Sequence, residues 1–330
     1  MLRSVCLCFV SILVSVIASA EVKMEKKEYG GWPNCVWLSN GQVEVVVTTD
    51  VGPRIIRYGF VGGQNLLNEY KDLMGKTGGD EWRIYGGHRL WHAPEAKPRT
   101  YSPDNSPVKH EWNGSTLRVT QGTEHSTGIQ KQMEITLAPE SSQVTILHRL
   151  TNRNEWDVKL APWALTVMAK GGRAVYPQEP FIAHTDYLLP ARPLTLWHYT
   201  DMKDPRWTFG TKYIQLRQDP TAKTPQKAGF KNSLGWGAYV LKGDVFIKRF
   251  NYVDGGEYVD FGCNTETFTN EDMLEIESLG PLVTLSANGG STEHTEEWRL
   301  HKAEIGEKES DIDAALLPLV DTTRSGAARR

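Results

Sequence analysis

The chain has 330 residues, with 37 Lys+Arg against 40 Asp+Glu, a formal charge of −3 and a hydrophobic share of 39%. That describes a globular chain with apolar residues enough for a large core, not a disordered or fibrous one, and its near-balanced charge argues against nucleic acid or an anionic membrane as partner. The unusual feature is aromatic: 11 Trp, 12 Tyr and 9 Phe, a surplus that serves either core packing or stacking on sugar rings.

Residues 1–20 read as a targeting segment. Arg3 supplies a short cationic start, 5–17 is apolar and broken only by Ser11 and Ser15, and Ala18-Ser19-Ala20 ends it with small residues. This predicts a secretory signal peptide cleaved after Ala20 and a secreted or periplasmic protein with no membrane attachment afterwards. Beyond it the chain keeps two cysteines, Cys35 and Cys263, which could pair in an oxidising compartment but make no disulfide framework.

Residues 21–323 are expected to form the folded unit, built from short strands between Gly, Pro, Asn and Asp. Val43, Val45 and Val47 share one strand face, and 53–60 forms the next strand. Segment 85–95, between paired glycines and Pro94, reads as a loop. After a strand at 117–120, Ile129, Met133, Ile135 and Leu137 alternate with Gln130, Gln132, Glu134 and Thr136. Val144, Ile146, His148 and Leu150 repeat the pattern. Segment 200–232, rich in Asp, Lys and Pro, reads as a long excursion of the kind that walls a binding site. Strands follow at 235–241, 245–252, 273–279 and 294–300. One short C-terminal helix is expected at about 310–320, capped by Ser310, before a frayed tail at 324–330. Many strands without intervening helices predict an all-β fold of antiparallel sheets stacked as a sandwich.

Two clusters hold chemistry. The first is Tyr85-Gly86-Gly87-His88-Arg89-Leu90-Trp91-His92-Ala93-Pro94-Glu95. His88 and His92 can exchange protons near neutral pH, and Arg89 can donate to hydroxyl or carboxylate oxygens. His88, His92 and Glu95 echo a helical metal-ligand spacing, but Gly-Gly before and Pro after oppose a helix, so no metal is expected. The second cluster holds Glu266, Glu275 and Glu277. In a strand Glu275 and Glu277 share one face, opposite Leu274 and Ile276. In a cleft their desolvation and repulsion would raise one pKa and make an acid/base pair. His148, His294, Glu296 and Trp298 read as core residues, whereas Trp91 and Trp236, beside glycines and polar clusters, are candidate sugar platforms. No G-x-S-x-G, phosphate-loop or dinucleotide fingerprint is present.

Two stretches carry a resemblance spanning roughly residues 35–302. Asn40-Gly41-Gln42 through Val47, Gly52-Pro53-Arg54-Ile55-Ile56 and Gly62-Gly63-Gln64-Asn65-Leu66-Leu67 open the chain. Glu277-Ser278, Pro281-Leu282, Leu285, Gly289-Gly290-Ser291 and 294–300 close it. Together they resemble the galactose-mutarotase-like (aldose 1-epimerase-like) β-supersandwich superfamily. The resemblance implies a carbohydrate ligand, no cofactor, and Glu277 as base on an anomeric hydroxyl with Glu275 its neighbour. The family's acid His has no counterpart after Leu150-Thr151-Asn152, which leaves His88 or His92 as the candidate acid. The expectation is a secreted carbohydrate-binding protein; if it acts on aldoses by acid/base chemistry, Glu277, His88 and His92 are the catalytic residues. Arg89, Trp91, Glu95, Glu275, Trp236 and Glu266 are expected to contact substrate. The alternatives are a polysaccharide lyase, with Arg89 neutralising a uronate, a glycoside hydrolase, or a glycan-binding protein without catalysis.

Overall fold

The computed structural model describes residues 21–323. The predicted signal peptide and the tail at 324–330 lie outside them. Almost every element is a strand, and the strands form two antiparallel sheets of eleven and ten members. The centre of the larger sheet runs, in spatial order, Arg54–Phe60, His88–Ala93, Val158–Met168, Leu274–Leu279, Thr265–Thr269, Gln226–Phe230 and Leu194–Leu196. The smaller sheet is centred on Arg173–Pro177, Trp236–Leu241, Asp244–Phe250, Ser291–Lys302, Val144–Asn152 and Ile129–Leu137.

Period-2 alternation drives the stacking. Ile129, Met133, Ile135 and Leu137 are fully or almost fully buried, and so are Val144, Ile146 and Leu150 on the neighbouring strand. They meet Val43, Val45, Val47, Ile55, Leu274 and Ile276 of the larger sheet in one core. Trp298 is completely buried there, against Tyr58 and Phe246.

A second core lies on the outer face of the smaller sheet, where the C-terminal helix covers it. Ile312, Leu316 and Val320 recur at helical spacing and pack on Val175, Tyr213, Val245, Ile247 and Trp236. The helix occupies 309–322 as three successive segments, Glu309–Asp311, Ile312–Leu316 and Leu317–Thr322. Its start differs from the sequence expectation, since Lys308, not Ser310, precedes the first turn, and the Asp311 carboxylate accepts the Lys308 N–H at 3.3 Å. Trp236, expected to be a sugar platform, is 2% exposed beneath this helix and belongs to packing.

Two loop expectations are corrected. Segment 85–95 contains the strand His88–Ala93, and 200–232 contributes Trp207–Phe209, Tyr213–Arg217 and Gln226–Phe230. Neither His88–Ala93 nor Gln226–Phe230 alternates apolar with polar, so no strand period shows in the sequence. The paired glycines ahead of His88 have a packing role: at φ 101° and 67°, a Cβ on Gly86 would sit 2.1 Å from the Asn68 carbonyl oxygen, and one on Gly87 2.2 Å from that of Ile55. Cys35 and Cys263 are both free and buried. Among the described residues no helix is long and apolar enough to cross a membrane.

Candidate functional site

The strand register aligns the site residues. Arg89 pairs with Leu165, Leu165 with Glu277, Glu277 with Glu266, and Glu266 with Gly229. The row on one side holds Trp91, Trp163 and Leu279; the row on the other holds Val167, Glu275, Phe268 and Lys227. Paired residues point to one face, so all of these lie on one side of the sheet. His88, one residue before Arg89 and so of the opposite parity, contacts Trp298 and His148 of the smaller sheet. The Arg89–Glu277 side is therefore the outer face of the larger sheet.

On that outer face a cleft of about 270 Å³ is lined by Trp82, Trp91, Trp163, Tyr70, Tyr101 and Tyr199, with Arg89, Lys227 and Glu275 as its charged groups and Glu95 at its exposed rim. The rings of Trp91 and Trp163 meet edge-on at 5.4 Å, and Trp82 and Tyr101 close on Trp91 at 5.3 and 5.0 Å. The Arg89 guanidinium lies 4.5 Å from the Trp91 ring centroid and donates to Glu275 Oε1 at 2.9 Å. Its Nε and Nη1 are without a hydrogen-bond partner, as is Trp82 Nε1.

Glu277 lies below the floor of this cleft and is fully buried. Its Oε2 accepts the Trp163 indole N–H at 2.8 Å, while Oε1 has no partner. Glu266 faces it directly across the strand pair, a like-charge juxtaposition that is unfavourable by itself. Lys227 offsets it: Nζ is 2.8 Å from Glu266 Oε2 and 3.8 Å from Glu277 Oε2. The ammonium also sits 4.8 Å from the Trp163 ring and 4.4 Å from the Trp197 ring. Burial raises both carboxyls: Glu277 is pushed up to about 7, against the pull of Lys227, and Glu266 well above the ordinary range.

The two histidines expected beside Glu277 are not there. His88 points into the space between the sheets, where each of its nitrogens is satisfied. The His148 Nδ1–H donates to the His294 carbonyl at 2.9 Å, so His148 Nε2 accepts from His88 Nε2–H at 2.7 Å. His88 Nδ1 then accepts the Thr166 hydroxyl at 2.9 Å. The same layer holds Glu296, which pairs with Lys248 at 2.7 Å and accepts Ser278 at 2.6 Å and Trp298 at 2.8 Å. His294 Nε2 donates to Ser278 Oγ at 2.7 Å. Burial holds His88, His148 and His294 below the usual imidazole range, His294 down to about 3, and Lys248 with the imidazoles holds Glu296 below the carboxylate range. His88, His148 and Glu296 stand close enough to share a metal ion. The fit is poor: the two facing imidazole nitrogens are spent on each other, and the Lys248 ammonium already supplies the cation beside Glu296. His92 shares the parity of His88 and lies 3.5 Å from Glu124, which Lys131 holds at 2.5 Å.

Of the residues expected to touch substrate, Arg89, Trp91, Glu95 and Glu275 line the cleft, and Glu266 and Glu277 lie beneath it. Trp236 belongs to the other sheet. Sequence reasoning missed Lys227, Trp82, Tyr70, Tyr101 and Tyr199. Only the expectation that 200–232 walls a site pointed toward Lys227.

No family model matches the chain, and no curated protein matches it. Solved structures do. A putative aldose 1-epimerase from Klebsiella pneumoniae is 11% identical with a TM-score of 0.59, over 92% of this chain and 88% of that one. A galactose mutarotase-like protein from Clostridium acetobutylicum is 11% identical with a TM-score of 0.51, over 86% and 99%. A TPR-domain containing protein from Parabacteroides distasonis is 13% identical with a TM-score of 0.56 over 90% of this chain, which spans about half (49%) of that longer one. At such identities the likeness speaks for the fold alone. The chain folds as a galactose mutarotase-like β-sandwich, as its opening and closing stretches led one to expect.

Proposed function

We propose that the protein binds carbohydrate in the outer-face cleft, as an exported protein. The observation that carries this reading is the lining itself: three indoles and three phenols around a few buried polar groups, with Arg89 N–H groups and the Trp82 indole N–H lacking partners. Aromatic faces cover the C–H faces of a sugar ring, and unpartnered donors await its hydroxyls. Arg89 is paired with Glu275, and Lys227 with Glu266 at 2.8 Å, so the buried charge does not demand a strongly charged ligand. Titration calorimetry against a panel of neutral and acidic saccharides tests the reading. Binding that Arg89→Met and Trp82→Ala weaken supports it, and binding indifferent to both variants contradicts it.

A second reading, acid/base chemistry at an anomeric centre, rests on Glu277 and its pKa near 7. Its weakness is the missing acid, since no histidine lines the cleft among the described residues. Polarimetry on α-glucose and α-galactose separates the two: acceleration lost in Glu277→Gln supports catalysis, and none favours binding alone. Export has its own test. The N-terminus of protein recovered outside the cytoplasm should begin at Glu21.

A further inference from the structure

A second cavity, of about 320 Å³, adjoins the cleft and is lined by Glu95, Tyr101, Trp197 and Asp260 among others. Glu95 and Tyr101 line both cavities, and the Tyr101 hydroxyl donates to the Glu95 carboxylate at their junction. Lys227 lines the cleft, and its ammonium lies 4.8 Å from the Trp163 ring of the cleft and 4.4 Å from the Trp197 ring of the second cavity. Each cavity alone sits near the lower end of the roughly 300–1,000 Å³ usual for ligand sites. Joined, they make a groove longer than one sugar ring needs.

The far end of the groove carries an independent sign. Asp260 and Phe261 both have left-handed backbone, φ 50° and 61°, and Phe261 is 90% exposed. A bulky residue in that region is strained, and strain of this kind persists only where surrounding structure enforces it. Here the Asp260 carbonyl accepts Thr195 Oγ1 at 2.9 Å and Cys263 Sγ at 3.0 Å, which fixes the turn. No packing rewards the placement, because the ring stands in solvent. An aromatic ring held outward beside a groove wall, at a conformational cost, is arranged to meet a partner.

We propose that the ligand is an oligosaccharide, with one sugar over Trp163 and Arg89, the next across Tyr101 and Glu95 against Trp197, and Phe261 as an outer platform. This rests on the reading of the cleft as a carbohydrate site. The test is a calorimetric series on the protein with glucose, galactose and galacturonate, each as the monomer and as its oligomers of two to four units. The expected result is affinity rising about tenfold or more from monomer to trimer in at least one series. Trp197→Ala and Phe261→Gly should flatten that dependence on length. Phe261→Gly removes an exposed ring and relieves a positive φ, so it keeps the fold even if Trp197→Ala does not. Equal affinity for monomer and trimer overturns the oligosaccharide proposal and leaves the cleft reading standing. Length dependence that persists in Phe261→Gly and Trp197→Ala overturns the assignment of the second cavity. No binding in any series overturns both.

Discussion

The two faces of the His88–Ala93, Val158–Met168 and Leu274–Leu279 strands share one backbone and differ in how their polar groups are satisfied. Toward the smaller sheet, His88, Thr166 and Ser278 join a network with His148, His294, Glu296, Lys248 and Trp298 in which each member has a partner. Toward the cleft, Arg89 and Glu277 keep unpartnered atoms, and Glu277 is driven toward its neutral form. A completed buried network specifies packing; an incomplete one at a cavity leaves bonds for a ligand to make. His88, expected from the sequence to be catalytic, belongs to the structural network instead.

The comparison can be broken by matched changes of glutamate to glutamine on the two faces. Glu296→Gln removes the charge that balances Lys248, and loss of one partner from a buried pair costs about 3–5 kcal/mol. Its Tm should fall steeply in a thermal melt. Glu277→Gln replaces a carboxyl that folding pushes toward neutrality, so at pH 8 it should raise stability by on the order of 1 kcal/mol. If both variants destabilise alike, the contrast between the faces fails.

The pH dependence sharpens it. The network imidazoles are depressed, so below their ordinary pKa of about 6.5 the unfolded chain binds more protons than the folded one. Their contribution to stability is complete above that value and is lost as pH falls toward the folded values, about 3 for His294. Glu277 has the opposite sign: raised from 4.5 to about 7, it holds a proton in the folded state that the unfolded chain releases, so stability falls as pH rises through that window. The two effects oppose between pH 4.5 and 6.5. The Tm–pH profile of Glu277→Gln should therefore climb more steeply there than that of the wild type, and an identical slope would count against the raised carboxyl. The smallest stability effect is expected for Tyr199→Ala at the rim. Tyr199 is 42% exposed, so unfolding should shift by no more than about 0.5 kcal/mol, while saccharide affinity drops severalfold.

Much of this was legible in the residues. The valines at 43, 45 and 47 and the alternation over 129–137 and 144–150 mark strands with one buried face, and the sandwich follows. Trp298, His148, His294 and Glu296 were readable as core because they share strand faces with, or lie beside, apolar partners. Glu275 and Glu277 were placed on one face by period-2 geometry alone. The same geometry puts His88 and Arg89 on opposite faces, but only once the segment is known to be a strand. That knowledge was hidden, because both of its faces are buried against polar or aromatic partners and leave no hydrophobic period. Lys227 was invisible for a related reason: its charge reads as solvent-facing, and the carboxylates and rings that hold it inside come from strands distant in sequence.

The tryptophan surplus supplies the most direct test of the central claim that the outer face binds carbohydrate and the inner layers do not. The indole N–H resonances of the labelled protein can be followed by NMR while the tightest-binding saccharide of the oligomer series is added. The account predicts that the signals of Trp82, Trp91, Trp163 and Trp197 shift, and that those of Trp236 and Trp298 stay in place. Shifts at Trp236 or Trp298 with the cleft indoles unmoved would contradict it.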